Sequence, residues 1–158
     1  MSLNSSQLEP PEHAYSGARS MILLHERELR RFLETWRRSR DAGVELPTTS
    51  DPDYASHAAL LVHVLGCARG YMVWMCDKLG LPEPDIAPTP DVDRVEAEAG
   101  EQLERICVGW RTPLRDVPET RFNETYPSSW GVDYCIDAML EHAVMHPLRH
   151  TAQLERLA

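Results

Sequence analysis

The last eighteen residues of the chain, EHAVMHPLRHTAQLERLA, place His142, His146 and His150 four residues apart. A step of four residues turns about 400° around an α-helix, so these imidazoles form one slightly slanted stripe on a single face. Two imidazoles at i and i+4 can chelate one metal ion. A third from a neighbouring helix completes a three-histidine set that keeps one coordination position open. An open position captures a ligand or hosts a reaction. Five of the seven histidines lie in two segments, these three and the pair His57 and His63 of DYASHAALLVHVLGCARGYMVWMCDKL.

On that second segment, Ala59, Cys67, Gly70 and Trp74 fall within about 40° of His63, whereas His57 points about 120° away. His63 is therefore the candidate third ring. Gly66 and Gly70 each cost about 1 kcal/mol of helix propensity, which implies that room is needed beside His63. The competing reading of any such ring is a hydrogen-bonded core histidine; His13 and His25 are read as structural or solvated. Pro147 removes the hydrogen bond to the Ala143 carbonyl at a cost of about 3 kcal/mol and predicts a kink between His146 and His150. Glu141 lies one residue off the stripe, as a carboxylate that supports the ligands or faces solvent. Trp74 and Trp130 are read as pocket-lining or core aromatics. No residue presents itself as a general base.

The elements that must position these groups are helices. Pro and Gly concentrate near residues 43–52, 80–90 and 109–131, and the segments between them carry helical spacing. The first helix is expected from Ser20 to Asp41, with Ile22, His25, Leu29, Phe32, Leu33 and Trp36 on one face and Gly43 as its stop. The second runs from Asp53 to Leu79, capped by Asp51 or Asp53 and ended by Gly80 and Pro82. It is apolar nearly all round and so central. The third spans Val92 to Trp110 and buries Val92, Val95, Ala99, Leu103, Ile106 and Trp110. The fourth starts between Gly131 and Asp133 and runs to the end of the chain. Only the stretch around Arg121 to Tyr126 could extend as a strand. The fold class is all-α: a single four-helix bundle over residues 1–158, with long loops and a loosely held stretch 1–15.

With 158 residues, 16 basic and 25 acidic side chains, the net charge is −9. That sign repels phosphate backbones and anionic lipid, so neither nucleic acid nor membrane is an expected partner. No apolar run is read as reaching the roughly 20 residues that cross a bilayer, and the start MSLNSSQLEPPEH lacks a secretion signal, giving a cytoplasmic expectation. Cys67, Cys76, Cys107 and Cys135 form no C-x-x-C pair and read as small hydrophobes in a reducing compartment.

At HVLGCARGYMVWMCDKLGLP from His63 and HPLRHTAQLERL from His146, the sequence resembles the DinB/YfiT-like superfamily of metalloenzymes, with a histidine early in a long second helix and an H-x-x-x-H pair in the last. The resemblance implies a four-helix bundle, often a homodimer, holding a divalent ion such as nickel or zinc. Carried over by position, His63, His146 and His150 are the ligands, and His142 matches a frequent additional histidine that is not usually one. Pro147 stands where the family tends to have glutamate or glycine.

Characterised relatives in that superfamily include S-transferases and isomerases that use low-molecular-weight thiols. The expected function is accordingly a metal-dependent transferase acting on a small-molecule substrate with such a thiol, because a coordinated thiol is held as thiolate. Two other readings stay open. One is a hydrolase, since a site of three histidines lowers the pKa of metal-coordinated water to about 7. The other is a non-catalytic bundle that binds metal or a small ligand.

Overall fold

The computed structural model describes residues 9–158. Four helices dominate: α1 (Ser16–Asp41), α2 (His57–Leu79), α3 (Val95–Trp110) and α4 (Ile136–Leu157), with a two-stranded antiparallel sheet of β1 (Thr125–Pro127) and β2 (Asp133–Cys135). The all-α expectation holds for the described residues, since the two strands have only three residues each.

α1 begins four residues before the expected Ser20, and its anticipated apolar face, Ile22 to Trp36, is buried as a unit. Its end is set by Gly43 at φ 65°, whose N–H returns to the Arg40 carbonyl while Val44 N–H reaches Ser39. A left-handed residue there releases the chain from the helix at no Cβ cost. Trp36 on that face is fully buried, and its indole N–H donates to the His57 carbonyl at 2.7 Å. That bond ties α1 to the first residue of α2.

α2 starts at His57, four residues later than expected, because Ser56 supplies the cap: its Oγ accepts from Ala59 N–H. Asp51 caps a short 3-10 turn, Pro52–Tyr54, leaving the Asp53 carboxylate free for another task. The helix ends as anticipated at Gly80, φ 69°. With 23 residues and a window of mean hydropathy 1.4, α2 is long and apolar enough by length and composition to cross a membrane, which corrects the reading that no segment is. Half of that window is buried against the other helices. An all-round apolar helix is also what a bundle interior requires.

α3 starts at Val95 rather than Val92; Val92 belongs to the preceding turn and is half exposed. Trp110 closes the helix end, its indole N–H donating to the Ala68 carbonyl of α2 at 2.9 Å. Gly109 is needed by packing, since a Cβ there would lie 2.3 Å from Ile86 Cγ1. Across the α1–α3 seam, Arg30 and Arg111 share the Glu26 carboxylate, and Arg30 also pairs with Glu104.

The expected start of α4 at Gly131–Asp133 is overturned. Residues 133–135 pair with 125–127, and Cys135 Sγ then accepts from Ala138 N–H as the cap. Gly131, at φ 81°, sits in the connecting loop, where Ser128 N–H donates to the Val132 carbonyl. Trp74 on α2 fixes this hairpin by donating to the Pro127 carbonyl at 3.2 Å. α4 runs without interruption through Pro147, and it packs along α1 more extensively than any other two elements pack. Part of the stretch expected to be loose is tied down: Ala14 N–H donates to the Arg115 carbonyl, and Arg19 reaches Pro10 and Glu9. The remainder, residues 1–8, lies outside the described residues.

Candidate metal centre

Three of the histidine rings meet between α2 and α4. The His63 and His146 centroids are 4.8 Å apart, His63 and His150 5.3 Å, and His146 and His150 4.7 Å. His146 and His150 are buried, at 4% and 1% exposure, while His63 keeps a partly open edge. Spacing of four residues on α4 stacks its two rings on one face, and that face meets the second turn of α2 where His63 stands.

Each ring is held by a specific partner. The Asp53 carboxylate lies 2.9 Å from His63 Nδ1. A carboxylate only accepts, so Nδ1 carries the proton and the lone pair sits on Nε2. That Nε2 faces His146 Nε2 at 3.0 Å. On His150, Nδ1 lies 2.9 Å from the Gln153 amide oxygen, to which the Tyr54 hydroxyl also donates at 3.1 Å. By the same logic His150 Nε2 keeps a bare lone pair. Among the described residues it is buried with no hydrogen-bond partner. His146 Nδ1 is likewise buried without a partner.

Burial, followed by the neighbouring charges, pushes His146 and His150 toward the neutral form. His150 is lowered to about 4, with His63 and Arg149 as the next causes. His146 is held far below its ordinary value by burial and then by His150 and His63. Neutral imidazole is the form that ligates a metal, so His146 and His150 would enter a coordination sphere without first losing a proton at pH 7.

The residues present fit a divalent ion. Two nitrogens that each lie about 2.0–2.1 Å from one Zn²⁺ stand about 3 Å apart or slightly more, which the two Nε2 atoms do. Leaving His150 Nε2 buried and unmatched costs about 1–3 kcal/mol, which a ligand at that nitrogen would remove. Among the described residues, the tightest group of potential donors is His63, Cys67 and His146, with one ligand atom from each within 4.8 Å of the others. Cys67 Sγ lies 3.9 Å from His63 Nδ1, the nitrogen that Asp53 already engages. Burial raises the Cys67 thiol pKa, keeping it protonated in the metal-free protein.

The other residues singled out in the sequence stand farther off. His142 is 6.4 Å from His146 between centroids and packs among Tyr71, Trp130 and Tyr134 at 5.2–5.8 Å. Trp130 is 46% exposed and stacks on His142, so it borders the site through that ring. Trp74 serves the hairpin. Glu141 is exposed, and its charge acts on Tyr15 near the start of α1 rather than on the histidines. His57 is bonded to Ser39 Oγ at 3.2 Å, and His25 stacks on Trp110 at 3.8 Å; neither approaches the centre. The room attributed to Gly66 and Gly70 is not required: a Cβ at Gly66 would meet only Thr89 Oγ1 at 3.8 Å, and at Gly70 nothing within 4 Å.

Sequence reasoning missed Asp53, Tyr54 and the donor potential of Cys67. For Cys67 the signal was present, an H-x-x-x-C step from His63 on the same stripe. For Asp53 and Tyr54 there was none, because the turn that carries them meets α2 and α4 only in three dimensions. No protein-family model, curated protein or solved structure matches the chain.

Proposed function

We propose that this bundle is a metalloprotein of the DinB/YfiT-like kind and that it transfers a small thiol to an electrophilic substrate, with nickel or zinc held by His63, His146 and His150. The observation that carries the reading is the pair of Nε2 atoms 3.0 Å apart beside a third, buried and unmatched Nε2. His63 and His150 each have the other nitrogen occupied, by Asp53 and Gln153, which fixes the tautomer a metal requires. Cys67 lies on the Asp53 side of His63 and is the residue that would take the place of His150 if the ion sat there.

A divalent ion in such a nest lowers the pKa of a thiol that meets it. The net reaction is RSH plus R′X giving RSR′ plus HX: a C–S bond forms as the C–X bond breaks, and the thiol proton leaves with X. The protein's own contribution is to keep the His146 and His150 rings out of water and to hold the tautomers of His63 and His150 through Asp53, Gln153 and Tyr54. Fixed donors of this kind need no rearrangement when charge develops.

The test is elemental analysis of the purified, untagged chain and of His63→Ala, followed by an assay with several thiols and electrophiles. About one divalent ion per chain, lost in His63→Ala, together with thiol conjugation, is the expected result. Saturable metal uptake with no conjugation would reduce the protein to a metal-binding bundle, and an unchanged metal content in His63→Ala would remove His63 from the ligand set.

A further inference from the structure

Beside His146, on the outer side of α4, lies a cleft of about 300 Å³ lined by His142, Met145, His146, Leu148, Arg149 and Ala152. His146 belongs both to this cleft and to the ring cluster, so the cleft gives a small molecule a route to the centre. Its walls are apolar apart from the two imidazoles and one guanidinium. Met145 is 55% exposed, which leaves apolar surface open at the mouth.

Arg149 is unusual for this chain. With 25 acidic side chains against 16 basic ones, most arginines are paired, including Arg19, Arg30, Arg31, Arg69, Arg94 and Arg111. Arg149 makes no ion pair or hydrogen bond among the described residues. Its charge nevertheless reaches the ring cluster, acting on Cys67 and Tyr71 of α2 and on His142, His146 and His150 of α4. An exposed arginine beside a site and without a carboxylate partner has its guanidinium fork available to an incoming anion. The overall charge of −9 repels anions, so a local cation is what an anionic ligand would need in order to dwell there.

We propose that Arg149 is the anion-binding residue of the site, and that the thiol it admits is a small molecule carrying a carboxylate, whose apolar body lies against Met145, Leu148 and Ala152. The proposal rests on the function inferred above and names the class of its thiol.

The experiment compares 3-mercaptopropionate with the neutral 2-mercaptoethanol on the cobalt-loaded full chain, reading the sulfur-to-cobalt charge-transfer band. The carboxylate thiol should bind about tenfold more tightly. Arg149→Gln should bring the ratio close to one without altering the affinity for 2-mercaptoethanol, and Arg149→Lys should restore part of it. Arg156→Gln, which removes a cation that is likewise unpaired among the described residues and lines a different pocket, should leave the ratio unchanged. Equal binding of the two thiols by the wild type, or a preference that survives Arg149→Gln, would overturn the proposal. If the chain takes up no cobalt, the metal reading fails by itself. The anion site is then judged on the metal-free chain from amide NMR shifts of α4 with butyrate against 1-butanol, where the same loss in Arg149→Gln supports it and an unchanged response rejects it.

Discussion

Asp53 and His63 are joined at 2.9 Å across the boundary between the 3-10 turn and α2. The carboxylate orients the ring and holds its proton on Nδ1, which is the arrangement that raises the basicity of a ligating Nε2. Asp53→Asn keeps the size of the side chain and removes the charge. Metal affinity should fall about 10- to 100-fold, measured by competition against a chromophoric chelator, while the melting temperature of the metal-free chain stays close to wild type.

The identity of the third ligand separates two donor sets. His150→Ala should abolish metal uptake, and Cys67→Ser should retain about one ion per chain. The opposite pattern would assign the ion to His63, Cys67 and His146, the tightest group by distance. Elemental analysis of both variants decides between them.

Acid should unfold the protein through its buried rings. His25 is fully buried against Trp110, and burial lowers its pKa to about 3, below the 6.5 it has when unfolded. A depressed histidine binds its proton more readily in the unfolded chain, so its contribution is complete above about pH 6.5 and is lost as pH falls toward 3. His25→Phe should remove one proton from that linkage. Between pH 6 and 4 the slope of unfolding free energy against pH, from urea titrations, should flatten by up to about 1.4 kcal/mol per unit. A slope identical to wild type would mean that His25 does not titrate on unfolding.

Gly66 and Gly70 lie in the middle of α2 with space for a methyl group, whereas Gly109 is closed off by Ile86. Gly66→Ala and Gly70→Ala should each stabilise the metal-free chain by about 0.5–1 kcal/mol. Gly109→Ala should destabilise it, because Ile86 must move or the helix must shift. Thermal denaturation of the three variants checks both signs.

Much of this architecture is readable from periodicity. The face from Ile22 to Trp36, the apolar character of α2 and the single stripe shared by His142, His146 and His150 all follow from counting residues around a helix. Boundaries were less accessible, for a physical reason. Asp51, Asp53 and Ser56 are all competent caps within six residues, and only tertiary contact selects Ser56 for the helix while giving Asp53 to His63. Likewise Asp133 and Tyr134 fit an early start for α4, but the hairpin claims them because β1 lies alongside. Periodicity also puts Trp36 on a face without saying whether that face is covered. Helical spacing puts Cys67 on the His63 stripe, yet its separation from two imidazoles depends on how closely α2 approaches α4.

The turn Pro52–Tyr54 fastens two helices at once, since Asp53 grips the ring on α2 while its neighbour Tyr54 reaches His150 and Gln153 on α4. It works as a clasp with two adjacent teeth. Lengthening the connection before Ser56 by even one residue would release both teeth together, so this loop should tolerate substitution far better than insertion.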